Sequence, residues 1–453
     1  MRVFFLSLVF VVSNFLAWNF FGLLFVFSVA IVFQFLSIYL KRPFWTFLSR
    51  VFLLLVLLNI SVTFWLFNVS ILEAINAFLF NSLIMSIPFI LTFFGEKIIR
   101  IKGELLFIPL WAIFEVFHGS WILGWPWLTF GNVMANQVYL VQWFSFLGIY
   151  SGSLWLLLLG YLFSQILFAV GEPQRGKTLK PFILLLFIPV IFSLMLYFGK
   201  PLDQKERIKI TTYIPKNSGE NNLKKTQTLF QYTRESPVGN YILSPELFLS
   251  PINLSGNNRQ IHFYFFDRIL EENDSIIFFF GAELKKSNTH LFNAFLVYDQ
   301  NNLFLKGKRK HVPIKEYTPP FLRFIWGESF YYGPSIDDQS KIKSQHDVFP
   351  VLCYESIFSN YISKNLGSAS VIFLITSEEF MGNSYFGKRQ YFNLVRLMAL
   401  EANRNLIKCS NGGFSAVFNE KGQVTAIISN EFETVSAYRI TKSSFLHKIK
   451  NYI

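Results

Sequence analysis

Cysteine is almost missing from this sequence: Cys353 and Cys409 are the only two in 453 residues. So sparse a set excludes a disulfide-stapled fold, and no His/Cys cluster has the spacing of a structural zinc site, so neither a metal nor another cofactor is expected. Acidic residues are nearly missing from the first half, where residues 1–200 hold Glu73, Glu96, Glu104, Glu115 and Glu172 and no Asp. Charged residues make up 15% of the chain against 52% hydrophobic and 19% aromatic, a balance that excludes an ordinary soluble protein. Pro-rich linkers, low-complexity tracts and internal repeats are missing too, which excludes solenoids and disordered arrays.

What fills the first half is apolar sequence of membrane-spanning length. Such stretches recur near residues 3–18, 19–39, 51–68, 75–94, 104–122, 138–170 and 181–199, and a helix of about 20 apolar residues crosses a bilayer core of roughly 30 Å. The expectation is a helical membrane domain of about seven spans over residues 1–200. The cations sit in alternate loops: Arg2, then Lys41, Arg42 and Arg50, then Lys97, Arg100 and Lys102, then Arg175, Lys177 and Lys180. The loops around 69–74 and 123–137 carry no Lys or Arg. Short Lys/Arg-rich loops stay in the cytoplasm, so an odd number of spans puts everything after Lys200 outside. For a bacterial chain this means a multi-pass cytoplasmic (inner) membrane protein whose second domain faces the periplasm. The net charge of +13 then sits beside anionic lipid headgroups, and the exterior placement argues against a nucleic-acid partner.

After residue 205 the texture changes to short β-rich runs at 207–214, 240–247, 275–284, 290–299, 348–355, 370–377, 405–419 and 422–429. Helical patterns lie between them at 218–236, 260–272, 355–366 and 386–403. Alternation of this kind predicts an α/β or layered sandwich domain over 205–440, followed by a tail at 441–453.

Three stretches in that domain set a reactive side chain at an expected strand end: "SPELFLSP" with Glu246, "GKRKHVPIKEYTPP" with Lys308 and Glu316, and "VLCYE" with Cys353. A carboxylate that removes a thiol proton, a thiolate that attacks a carbonyl and an ammonium that stabilises the oxyanion are the parts of an acyl transfer. A base is needed because a free thiol of pKa about 8.5 is only a few per cent ionised near neutral pH. A Cys353–Cys409 bridge would remove the nucleophile; Cys409, inside the alternating run "NLIKCSN", reads as packing. Tyr354 and Glu355 either shape the site or start the next helix.

Glu, Lys and Cys in that order, each on its own strand end, resemble the nitrilase-type hydrolases. The longer motifs resemble their membrane-bound branch, the apolipoprotein N-acyltransferases. "KRKHVPIKE" (308–316) keeps that branch's spacing with His311 where Leu is usual, and "CYE" (353–355) matches it without change. "RLMALEANRNLIKCSNGGFSA" (396–416) and "GWPWLTFGN" (124–132) are similar to two further family segments, the second with Trp125 in place of Phe. The chain departs from the pattern at "SEEFMG" (377–382), where Ser377 and Glu378 replace an Asn-Asp pair, and in having no apolar run for a final span.

The resemblance implies an αββα sandwich on a polytopic helical bundle. It also implies a catalytic set of Glu246, Lys308 and Cys353, with Glu316, Tyr354 and Glu355 in support. The implied reaction moves an acyl chain from a membrane phospholipid to Cys353, and from there to the α-amine of a diacylglyceryl apolipoprotein. Trp125, Pro126 and Trp127 read either as interfacial anchors or as part of a lipid-access wall. A membrane-anchored amidase shares the same triad, and an inactive membrane scaffold is the third alternative.

Overall fold

The computed structural model describes residues 2–168, 174–199, 204–254, 257–285, 291–313, 315–320, 323–328 and 337–440; the tail expected at 441–453 lies outside them. The chain forms two compact units, one of Met1–Lys200 with Met381–Leu397 and one of Pro201–Phe380 with Met398–Ile453.

The first unit consists of helices α1 (Arg2–Asn19), α2 (Phe25–Tyr39), α3 (Phe44–Thr63), α4 (Ile71–Met85), α5 (Ile87–Ile99), α6 (Gly103–His118), α7 (Phe144–Leu147), α8 (Ile149–Phe168) and α9 (Gln174–Phe198). Among the described residues, five segments are long and apolar enough to cross a membrane, against about seven expected: Gly22–Tyr39, Phe44–Asn68, Ile71–Ile99, Ile149–Phe168 and Gly176–Phe198. The stretch at 3–18 gives only the shorter apolar helix Phe5–Asn19, and that at 104–122 gives the 16-residue α6.

The stretch expected to be helical from residue 138 becomes a long α-helix only from Ile149, after the single turn α7. Before it, Phe130–Leu140 winds as buried 3-10 turns. Irregular backbone in an apolar surrounding needs side-chain partners, and the sequence supplies them. Glu115 Oε1 accepts from the Phe130 N–H and from Trp111 Nε1, both at 2.8 Å. Ser153 Oγ accepts from the Gly131 N–H at 2.9 Å, and Gln137 Oε1 from the Gly22 N–H at 2.7 Å.

Gln390, on the helix that starts at Tyr385, is a buried hub of the same unit. Its Oε1 accepts from Trp65 Nε1 and Trp127 Nε1, both at 3.1 Å. Its Nε2 donates to Asn19 Oδ1 and to the Val62 carbonyl, both at 3.0 Å. The two indoles lie 5.1 Å apart and Trp127 stacks on Tyr391 at 6.0 Å. Gln390→Leu keeps the volume but leaves two indole N–H groups and two oxygens unpaired. Removing one partner of a buried hydrogen bond costs about 1–3 kcal/mol, so a loss at the upper end of that range is expected, read as a lowered melting temperature in detergent.

The second unit holds β1 (Gln204–Tyr213), α10 (Asn222–Glu235), β2 (Tyr241–Leu243), β3 (Leu249–Ile252), α11 (Asn257–Glu272), β4 (Ile277–Lys285), β5 (Leu291–Tyr298), β6 (Leu303–Gly307), α12 (Arg323–Trp326), α13 (Gln339–His346), β7 (Val348–Leu352), α14 (Ser359–Asn365), β8 (Val371–Ser377), the end of α15 (Tyr385–Ala402), β9 (Asn405–Asn411), β10 (Ser415–Phe418), β11 (Val424–Ile428) and β12 (Phe432–Ile440). One sheet runs β12-β1-β2-β4-β5-β6 with β3 on β4, and the other runs β11-β10-β9-β8-β7.

Period-two alternation explains the layering. On β4 and β5, Phe279, Phe295 and Val297 join Val348, Leu352, Phe373 and Ile407 of the other sheet in one core. Phe278, Phe280 and Leu296 face the other way and pack with Phe263, Phe266 and Ile269 of α11 and Leu229 of α10. The result is an α/β sandwich of two sheets with helices on an outer face. Neighbouring β7, β8 and β9 are parallel, so their carboxyl ends lie side by side, with Leu352 beside Ile375 and Ser377 beside Asn411.

Candidate active site

Each reactive residue sits just beyond a strand. Glu246 follows β2 and passes over β4 where Gly281 leaves room: a Cβ there would lie 2.5 Å from the Glu246 Cα. Lys308 follows β6, a strand that hydrophobic patterning did not announce. Cys353 follows β7 with φ +41°, a left-handed backbone that a non-glycine residue adopts at a cost on the order of 1–3 kcal/mol. The turn Cys353–Ile357 begins there.

The structure brings Glu246, Lys308, Glu316 and Cys353 together. Lys308 Nζ donates to Glu246 Oε1 at 3.0 Å and to Glu316 Oε1 at 2.7 Å, and its side chain is fully buried. Glu246 Oε1 also accepts from Asn293 Nδ2 at 2.7 Å, and its Oε2 accepts from the Ser377 N–H at 2.8 Å. Glu316 Oε2 accepts from the Val312 N–H at 2.8 Å. The Cys353 thiol is close enough to Glu246, Lys308 and Glu316 for all three charges to act on it.

Electrostatics fixes the protonation pattern. Burial works against the Lys308 ammonium, but the Glu246 and Glu316 carboxylates outweigh it and hold the pKa well above the ordinary lysine value. Burial, reinforced by the Glu246 charge, pushes the Cys353 thiol well above the ordinary cysteine value. The resting site is therefore a neutral thiol facing a carboxylate, with a permanent cation beside both. Burial together with Lys308 and Lys306 drives His311 down to about 3, so it is a neutral imidazole near pH 7.

Glu355 is fully buried and does not merely start a helix. Its carboxylate pairs with the equally buried Lys306, accepts from the Arg309 N–H at 2.6 Å and accepts from the Leu352 N–H at 2.9 Å. It thereby ties the segment bearing Lys308 to the segment bearing Cys353. Tyr354 is buried, with its ring 5.1 Å from Phe358. Sequence reasoning missed Asn293, Lys306 and the Ser377 N–H, whose roles follow from strand register and not from any local motif. Cys409 is a buried thiol on β9, 3.6 Å from the Leu243 carbonyl, and no disulfide joins it to Cys353. Trp125, Pro126 and Trp127 belong to the helical unit. Pro126 and Trp127 are buried in its packing, and Trp125 is half-buried.

Breaking the Lys306–Glu355 pair from one side strands a buried charge, which costs about 3–5 kcal/mol. Lys306→Met should lose stability on that scale. Lys306→Met/Glu355→Gln should recover much of it, because the amide oxygen still accepts a backbone N–H and no charge is left unpaired. Chemical denaturation of both variants measures the difference.

Comparison with known proteins bears on both halves. Residues 12–162 match the Apolipoprotein N-acyltransferase N-terminal domain, and residues 210–445, over half of the chain, match the Carbon-nitrogen hydrolase family. The apolipoprotein N-acyltransferase of Rickettsia typhi is 27% identical over 340 residues, 71% of this chain and 66% of its own length. Those of Haemophilus influenzae and Chlorobaculum tepidum are 23% and 22% identical over 75% and 87% of this chain, and 69% and 82% of their own. The chain thus spans about two thirds, 66%, of the Rickettsia typhi relative. A carbon-nitrogen hydrolase from Helicobacter pylori G27 is 15% identical over 54% of this chain and 91% of its own, at a TM-score of 0.35. The chain belongs to the carbon-nitrogen hydrolase family, in the branch that places this domain after an apolipoprotein N-acyltransferase N-terminal domain.

Proposed function

We propose that this protein transfers a fatty acyl chain from a membrane phospholipid to the α-amine of an N-terminal S-diacylglyceryl cysteine on an apolipoprotein, through a thioester on Cys353. The observation that carries this reading is the buried Lys308 ammonium bonded to both the Glu246 and Glu316 carboxylates, with the Cys353 thiol within reach of all three charges. Glu246 takes the thiol proton as sulfur attacks the ester carbonyl, and Lys308 stabilises the oxyanion. The C–O bond then breaks, Glu246 returns the proton to the leaving alkoxide, and a lysophospholipid departs. In the second half-reaction Glu246 accepts a proton from the attacking amine, the C–S bond breaks, and the proton goes to the departing thiolate. Glu316 keeps Lys308 in place.

The same reading puts the catalytic unit on the periplasmic side of the cytoplasmic membrane, held there by the apolar helices. Both proposed substrates are anchored in a bilayer, so a membrane-borne catalyst replaces a three-dimensional search with a lateral one. The cation pattern supports this orientation. An impermeant maleimide should label Asn301→Cys in spheroplasts and reach Lys41→Cys only after permeabilisation; the reverse pattern contradicts the orientation.

The chemistry is tested by single-turnover acylation. With phospholipid alone, the acyl chain should appear on Cys353 and not on Cys409. Loss of an oxyanion donor costs about 10²–10³ in rate, so Lys308→Ala should nearly stop acylation. Lys308→Arg should also be slow, because a guanidinium does not fit a pocket shaped for a compact ammonium. Arg309→Ala removes an exposed side chain paired with Asp337 and should retain most activity. Equal rates in Lys308→Ala and Arg309→Ala would contradict the assignment.

A further inference from the structure

The segment "SEEFMG" holds a second fully buried ion pair, outside the catalytic set. Glu378 and Lys408 are both 0% exposed and pair directly. Glu378 Oε1 also accepts from Ser410 Oγ at 2.8 Å and from Thr376 Oγ1 at 3.3 Å, while its N–H donates to the Asn411 carbonyl at 2.8 Å. Lys408 Nζ also donates to the Phe414 carbonyl at 2.7 Å. Gly413 makes the arrangement possible: a Cβ there would stand 2.2 Å from a Glu378 carboxylate oxygen.

These bonds lock the carboxyl ends of β8 and β9 together, and both ends touch Glu246. The Ser377 N–H donates to Glu246 Oε2 at 2.8 Å, and Asn411 Nδ2 donates to the Glu246 carbonyl at 3.2 Å. A buried ion pair is weak evidence for stability, since apolar residues of the same volume pack as well. What apolar residues lack is the directional hold on the turn after Ser377.

We propose that Glu378 and Lys408 are positioning residues that hold the Ser377 N–H on Glu246 and so keep the base aimed at the Cys353 thiol. The inference rests on the reading of Glu246 as base and Cys353 as nucleophile. Neither residue touches the reacting atoms; both act through the backbone at 377 and the side chain at 411.

The test is the rate at which iodoacetamide alkylates Cys353 in the full-length detergent-solubilised protein, followed by intact mass. Misplacement by about 1 Å costs on the order of 10²-fold in a positioned reaction, so Glu378→Gln should slow alkylation at least about tenfold. Glu378→Asp/Lys408→Arg, which exchanges length between partners and keeps the pair, should return to within about threefold of wild type. Ser377→Pro removes the N–H directly while leaving the pair intact, and should reproduce the loss even if Glu378→Gln folds poorly. A purely structural role would lower melting temperature without this pattern. Wild-type alkylation rates in both folded Glu378→Gln and Ser377→Pro would overturn the inference alone. A wild-type rate no faster than that of Glu246→Gln would overturn the underlying reading as well.

Discussion

Burying two carboxylates beside a thiol is tolerable here only because one ammonium is shared between them. Glu246 and Glu316 each bond Lys308, at 3.0 and 2.7 Å. Without that cation, like charges in a low-dielectric site would drive one carboxylate to its neutral form, and Glu246 would lose its capacity as a base. With it, the thiol stays protonated at rest because its surroundings disfavour another negative charge. On the proposed reading, the nucleophile is made only at the moment of attack, and no thiolate waits exposed to oxidation.

Two buried Lys–Glu pairs tie together the segments that carry the candidate site. Lys306–Glu355 joins the end of β6 to the turn after β7, and Lys408–Glu378 joins the ends of β8 and β9. The helical unit solves its polar problems by similar means. Glu115, Ser153 and Gln137 satisfy backbone that does not form α-helix, and Gln390 uses all of its hydrogen-bonding capacity within the unit.

Glu246 and Cys353 were legible because they end β-rich runs, and Lys308 and Glu316 because they keep a fixed spacing. The short β6 before "GKRKH" and the late strand β12 are not among the β-rich runs that hydrophobic pattern announces. The run before Ile149 departs from continuous α-helix where Asn136 and Gln137 donate to the Trp18 and Phe20 carbonyls, distant partners that periodicity does not register. Lys306 and Lys408 look like ordinary cations in sequence. Their partners lie 49 and 30 residues away, and only sheet register brings them together. The same holds for Glu378, which reads as a departure from a motif and proves to be half of a buried pair.

The account turns on an acyl chain passing through Cys353 to a lipoprotein amine. The most direct measurement is mass spectrometry of lipoprotein N-termini from cells that contain this chain as their sole source of the activity, compared with cells carrying Cys353→Ala. A third acyl chain, amide-linked to the N-terminal cysteine in the first and missing in the second, is the predicted result. Triacylated N-termini in both, or in neither while the wild-type protein is folded in the membrane, would contradict it.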